Sequence, residues 1–161
     1  MNPVSVVDQW FTTVNEQFGT AFELADGGSC AIEFANGATL FIQVLADEDS
    51  VVLYAPIVAL DPRPDALYLL GVLALNLFNH CTASGVIGYD AERHSLVYSE
   101  RVAIGKSNAF EFAWRLDHFP SLWAQLVAAL SELKAHAARP TDTADTGESL
   151  PQPMDPRFLK P

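Results

Sequence analysis

The segment from Ala66 to about His80 most constrains the fold of this chain, because it is predicted to be a helix and yet is apolar on every side. Its large side chains are Leu67, Tyr68, Leu69, Leu70, Val72, Leu73, Leu75, Leu77 and Phe78. A helix without a polar face must be covered all round, whereas helices in small domains usually lie on the outside of a sheet. The segment therefore predicts a second subunit that covers it. The alternative is a helix buried within one domain.

Size and charge limit the class of protein and its partners. The chain has 161 residues, half of them hydrophobic, which suits one domain with a real core. Its net charge of −11 repels phosphate backbones and anionic lipids, so basic or amphipathic polypeptides are better partners than nucleic acid or membrane. The first Lys or Arg is Arg63, and the charged side chains before it are all Asp or Glu. This asymmetry either attracts basic partners or merely keeps an apolar domain soluble.

The predicted location is the cytoplasm. The first ten residues lack the basic and apolar regions of a signal peptide. The longest apolar run, 66–78, is interrupted by Gly71 and Asn76 and is too short to span a bilayer comfortably. Cys30 and Cys81 are far apart and fit a reducing compartment, although a disulfide between them stays open.

The order of the predicted elements is helix, strands, helix, strands, helix, which indicates an α+β fold with a twisted antiparallel sheet and flanking helices. The ranges of the predicted elements are a helix at 4–18, strands at 22–24, 30–34, 40–45 and 51–58, a helix at 66–80, strands at 84–90 and 95–102, and a helix at 108–136. Asn36-Gly37 is a hairpin signal, and Pro120 is expected to kink or restart the last helix.

Two regions follow from composition. Residues 1–136 form the predicted folded domain, and residues 137–161 form a flexible tail rich in Pro, Thr and Asp. Phe158 and Leu159 are unusual apolar residues in that tail. They are either incidental or part of a short docking peptide.

The sequence offers little catalytic or metal-binding chemistry. His80 and Cys81 are adjacent, which is poor geometry for a nucleophile and its base. Asp90, Glu92 and His94 fall between two predicted strands, where polar residues are expected of any hairpin. Gly85 and Gly88 lack the Lys-Ser/Thr of a phosphate loop. We therefore expect a protein that is not an enzyme and that binds no metal or cofactor.

Several residues give the chain a recognisable resemblance. They are Leu75-Asn76-Leu77, Gly85, Gly88, Asp90, Leu96, Leu116, Phe119 and Trp123. Their order and spacing over about 4–133 resemble the class I type III secretion chaperones of the Tir chaperone (CesT) family. The chain length and the tail also resemble the broad-specificity export chaperones of plant-pathogenic bacteria.

This resemblance implies a homodimer that binds an extended N-terminal segment of type III effectors, keeps them soluble and competent for secretion, and delivers them to the export apparatus, whose ATPase is a candidate partner. The implied dimer interface consists of Leu69, Leu70, Gly71, Leu73 and Leu77, with Gly71 allowing close approach of the partner. The implied effector-binding residues are Phe11, Val14, Phe18, Phe22, Ile32, Phe34, Leu40, Phe41, Ile42 and Val44. Of these, Phe34, Phe41 and Ile42 are the ones expected to be exposed, and hydrophobic pockets plus strand addition would hold the client.

Two other functions compete with this one. A small-molecule-binding α+β domain would be a monomer with a closed apolar cavity. An enzyme would need Asp90, Glu92 and His94 to converge with His80 or Cys81.

Overall fold

A computed structural model describes residues 2–61, 65–77 and 82–138. The helices and strands in chain order are α1 (Pro3–Phe18), β1 (Ser29–Glu33), β2 (Thr39–Leu45), β3 (Ser50–Ala59), α2 (Ala66–Leu75), β4 (Val86–Asp90), β5 (Ser95–Ala103) and α3 (Ala109–Ala137). The five strands form one antiparallel sheet in the order β1-β2-β3-β5-β4. The predicted α+β fold is confirmed. His80, Cys81 and nearly all of the predicted tail, from residue 139 on, lie outside the described residues. Among those residues, we find no helix with the length and apolar character needed to cross a bilayer.

The hydrophobic core lies between the helices and one face of the sheet. Alternate residues of β2 and β3, such as Leu40 and Leu53, are buried there. The rings of Phe11 in α1 and Phe112 in α3 meet edge to face, with centroids 5.7 Å apart. Because successive side chains of a strand point to opposite faces, Phe41 lies on the other face of the sheet, where its ring stacks on that of Tyr54.

Side-chain caps define where the helices begin. Asn2, Asp65 and Asn108 each accept a hydrogen bond from a backbone N–H in the first turn of α1, α2 and α3, respectively. The last helix does not restart at Pro120 but runs unbroken to Ala137. Its apolar stripe continues on both sides of the proline, as Leu116 and Leu126 are both buried.

The predicted strand at 22–24 does not form. The side chain of Asn15 in α1 accepts a hydrogen bond from the Phe22 backbone N–H at 2.8 Å and donates one to the Phe22 carbonyl at 2.9 Å. These bonds use the groups that would otherwise pair with a neighbouring strand. An isolated bridge joins the next residue, Ala25, to Ser29.

The outer edge of β4 is closed by a side chain. Asn76, the residue after α2, donates to the Ile87 carbonyl at 3.0 Å and accepts from the Ile87 N–H at 2.7 Å. An unpaired edge strand exposes donors and acceptors that attract other strands. Asn76 therefore fixes the end of α2 to the sheet and protects this edge at Ile87.

Gly85 is required by the position of the Tyr98 ring, because a Cβ atom there would overlap the ring. Gly85→Ala should lower the free energy of unfolding by about 1–3 kcal/mol, as is typical of an overpacked core, and urea denaturation would measure this loss. Gly105→Ala is the matched control, since Gly105 is exposed and its Cβ would lie 3.5 Å from the nearest atom, Oδ2 of Asp49. Equal stability of the two variants would contradict the required contact.

Candidate functional site

The first candidate site is an apolar groove between α1 and α3, which we call the α1–α3 groove. It has a volume of about 280 Å³. Its lining residues are Val14, Phe18, Thr20, Phe22, Ile32, Glu33, Phe34, Ala35, Leu116, Asp117 and Pro120. The ring of Phe34 packs on that of Phe119, with centroids 5.4 Å apart, which holds the end of β1 against α3. Among the described residues that line it, the charged ones are the exposed acids Glu33 and Asp117. The groove therefore suits an apolar side chain flanked by positive charge.

The structure brings half of the predicted effector-binding residues together. Val14, Phe18, Phe22, Ile32 and Phe34 all line the α1–α3 groove. Val14 and Ile32 are buried and form its floor, whereas Phe18 is 37 % exposed.

The other predicted effector-binding residues lie elsewhere. Phe11, Leu40, Ile42 and Val44 are buried in the core. Ile42 is only 1 % exposed, so the expectation that it lies on the surface is wrong. Its strand is apolar on both faces, and it is Phe41 that points away from the helices. The sequence did not identify Asp117 or Pro120 as groove residues, because they come from a distant helix.

The second candidate site is the exposed side of α2 together with its cleft against β4, which we call the α2–β4 face. Leu67, Leu70, Leu73 and Leu77 are each 60 to 63 % exposed. The adjoining cleft has a volume of about 350 Å³ and is lined by Leu60, Leu69, Val72, Leu73, Ile87, Gly88, Tyr89 and Leu96. The described residues therefore leave this side of α2 uncovered. Leu67 and Tyr89 extend the surface predicted from the sequence.

Gly71 lies where α2 packs on α3. A Cβ atom at Gly71 would lie 2.9 Å from Cδ2 of Leu133 in α3. The glycine therefore permits close packing of α2 on α3 within the chain. Its predicted place in a dimer interface stays a prediction.

A third cleft adjoins a partly buried polar cluster. The Tyr98 hydroxyl donates to Oε2 of Glu100 at 3.0 Å, and Nε of Arg115 donates to Oε1 at 2.9 Å. Only 8 % of the Glu100 side chain is exposed. Because both carboxylate oxygens are engaged and the charge is compensated, Glu100 is a poor general base. The cluster joins β5 to α3 and supports the fold.

The candidate metal ligands do not converge. Asp90 accepts hydrogen bonds from the backbone N–H groups of Glu92 and Arg93 at 2.9 and 3.0 Å, as a turn residue does. The pKa of Asp90 is lowered, and the largest cause is the hydrogen bond that it accepts from the Arg93 backbone N–H. Within the described ranges, no three His, Cys, Asp or Glu side chains are grouped to hold a metal ion. Burial raises the pKa of the Cys30 thiol, which disfavours its reactive thiolate.

Comparison with known proteins identifies the fold. The sequence model of the "Tir chaperone protein (CesT) family" matches residues 13–133. Among curated proteins, none matches the chain significantly. The structure is similar to that in the "ExsC-ExsE Complex", with a TM-score of 0.59, 15 % identity, and coverage of 84 % of this chain and 96 % of that chain.

Two further solved structures share this fold. The "Yersinia Pestis type III secretion chaperone SycH in complex with a stable fragment of YscM2" gives a TM-score of 0.54 and 14 % identity, covering 78 % of this chain and 98 % of that one. The "heterodimeric complex ExoU-SpcU" of Pseudomonas aeruginosa gives a TM-score of 0.54 and 17 % identity, covering 80 % of this chain and 95 % of that chain.

Alkaline pH should test the Tyr98 cluster. Burial first, and then the Glu100 carboxylate, raise the pKa of the Tyr98 hydroxyl. The folded state therefore favours the protonated hydroxyl, and this stabilises the protein fully at a pH below about 10, the pKa of tyrosine in the unfolded chain. The stabilisation is lost as the pH rises above that pKa. Tyr98→Phe should cost about 1.5–3 kcal/mol at neutral pH, because a hydrogen bond to a charged group is lost. Its unfolding free energy should then fall less steeply than that of the wild type above about pH 10. Urea denaturation at neutral and alkaline pH would measure both effects, and parallel pH profiles would contradict the assignment.

Proposed function

Because the chain belongs to the Tir chaperone protein (CesT) family, we propose that it is a type III secretion chaperone that holds an extended segment of an effector protein. The observation that carries this proposal is the α1–α3 groove, an apolar surface with an acidic rim beside the edge strand β1. Such a surface suits a polypeptide with apolar side chains and basic neighbours. Binding energy alone would keep the client segment extended, so the mechanism needs no cofactor.

The groove and the sheet edge have complementary parts in this mechanism. An apolar client side chain would enter among Phe18, Phe22 and Phe34. The client backbone could then pair with the edge of β1, where main-chain hydrogen bonds tolerate many sequences. At the start of β1 this edge is already occupied, since the Ala25 N–H donates to the Ser29 carbonyl at 2.7 Å. The strand would therefore be added beyond Ser29, next to the groove.

Charge favours basic client segments. No Lys or Arg occurs before Arg63, so α1 and β1 to β3 carry only acidic charges. A field of one sign raises the rate of association with an oppositely charged partner and adds specificity. The solved structures with this fold include complexes with ExsE, with a YscM2 fragment and with ExoU. We propose a partner of the same kind for this chain, in the cytoplasm, with delivery to the export apparatus and its ATPase as a later step.

The α2–β4 face is proposed as the interface of a homodimer. Four leucines of one helix side are mostly exposed, and the cleft beside them is lined by apolar residues and Gly88. Burial of a leucine side chain stabilises by about 1.5–3 kcal/mol, and in a two-fold dimer each residue of the patch is used twice. A second copy of the chain would therefore cover α2 with matching apolar surface.

Leu73→Asp tests the interface. The exposed side chain contributes little to the fold of one chain, but a charge in a dry interface is costly. We expect a dimer for the wild type and a folded monomer or an aggregate for the variant, measured by light scattering and circular dichroism. Ala128→Asp, at an exposed position of α3, is the matched control and should stay dimeric. A stable Leu73→Asp dimer would show that the interface lies elsewhere.

Phe18→Ser and Phe34→Asp test the client groove. Each removes an aromatic lining residue, and Phe34→Asp also adds a negative charge. After co-expression with an effector of the native host, we expect at least a tenfold loss of co-purified effector, or about 1.4 kcal/mol, with the dimer retained. Phe110→Ser is the control, because Phe110 is 75 % exposed on α3 and does not line the groove. Unchanged recovery by both groove variants would exclude this groove as the client site.

A further inference from the structure

We propose that the segment Arg157–Lys160 of this chain binds its own α1–α3 groove and competes there with the client. The inference rests on the proposed function, because it assigns a regulator to the proposed client site. The segment has the sequence Arg-Phe-Leu-Lys, which places two large apolar residues between two positive charges.

The chemistry of the groove matches this segment. Phe18, Phe22 and Phe34 offer aromatic surface to the Phe158 ring, and such pairs gain energy beyond the burial of area. Glu33 and Asp117 are exposed at the rim, where they can pair with Arg157 and Lys160. None of the groove-lining residues in the described part of the chain is a Lys or Arg. An acidic segment of the same tail would therefore meet repulsion where this one meets attraction.

The size of the groove also fits a short peptide contact. Its volume of about 280 Å³ is at or below the range of about 300–1,000 Å³ that is common for sites of drug-sized ligands. A single aromatic side chain with its flanking backbone is a reasonable occupant. One bound ring would block the entry of a client side chain at the same place.

The length of the chain permits the contact. From Pro120 at the groove, α3 continues for 17 residues to Ala137, a distance of about 26 Å at 1.5 Å per residue. Phe158 follows 20 residues after Ala138, which is a reach of up to about 66 Å. A tethered ligand of this kind has an effective concentration of about 1 mM. Even a weak contact would therefore be populated within one chain.

The charge pattern favours the groove over the α2–β4 face. The cleft of that face is lined by leucines, valine, isoleucine, tyrosine and glycine, without an acid. Arg157 and Lys160 would gain no ion pair within it. The α1–α3 groove supplies both an apolar floor and two carboxylates.

Nuclear magnetic resonance of the full chain tests the contact directly. We expect the double variant Phe158→Ser/Leu159→Ser to shift the backbone amide signals of Thr20, Glu33, Ala35 and Asp117 relative to the wild type. Met154→Ser is the matched control, because Met154 is an apolar tail residue with an acidic neighbour, and it should leave these signals in place. Unchanged groove signals in the double variant would overturn the proposal. Signals of the labelled double variant that shift only when unlabelled wild type is added would place the segment on a second copy, which also contradicts it.

A binding experiment measures the competition. The probe is a fluorescent synthetic peptide of residues 152–161, added to the wild type and to the Phe158→Ser/Leu159→Ser full chain. We expect the double variant to bind it about 2- to 10-fold more tightly, since its own segment no longer occupies the groove. Adding Glu33→Gln and Asp117→Asn to the double variant should weaken this binding and reduce its salt dependence.

The outcomes separate this inference from the proposed function. Equal binding of the peptide to the wild type and the double variant would show that the segment does not occupy its own groove. Effector capture that is lost in Phe18→Ser and Phe34→Asp would still support the client site in that case. Conversely, if both groove variants still capture the effector, the groove is not the client site. The amide shifts of the Phe158→Ser/Leu159→Ser variant would then still show whether the tail segment binds the groove.

Discussion

The burial of one sheet face beneath α1 and α3 is the interaction on which the rest of the structure depends. Phe11 and Phe112 join the two helices over the sheet, and Leu40 and Leu53 complete the core below them. Because this core already occupies the centre of the inner face, α2 lies to one side, against β4. There it buries Tyr68 and Val72 and leaves a row of leucines outside. The exposed apolar surface is therefore a consequence of the packing order of the helices.

The same packing separates two surfaces of different chemistry. The groove at the end of α1 combines aromatic side chains with Glu33 and Asp117, whereas the described residues that line the cleft beside α2 are all uncharged. A dry and uncharged surface suits a permanent partner of the same kind. A surface with an acidic rim suits a partner that arrives, is held and is released, because screened charges govern rates more than affinity. The two proposed roles, dimerisation and client binding, thus fall on different parts of the sheet.

Much of the fold was predictable because local patterns decide it. The alternation along β2 and the stripe of α1 follow periods of two and 3.6 residues, which need no tertiary information. The missing strand at 22–24 was not predicted, because the Asn15 side chain near the end of the preceding helix bonds the Phe22 backbone. A side-chain-to-backbone contact of this kind leaves no periodic signal in the sequence. The sequence also could not tell which face of β2 is covered, so Ile42 was expected at the surface. The packing of Gly71 on Leu133 was also not predicted, because the two residues are 62 positions apart in the sequence.

Asn76 decides how far an assembly built from these sheets can extend. A sheet with two open edges can recruit one strand after another and grow into a filament. Here the Asn76 side chain makes the two hydrogen bonds to the Ile87 backbone that a neighbouring strand would otherwise make, at the edge formed by β4. The strand addition proposed for the client is thereby left to the opposite margin, at β1. A chaperone that binds its client in this way would add one strand to its sheet without starting a polymer.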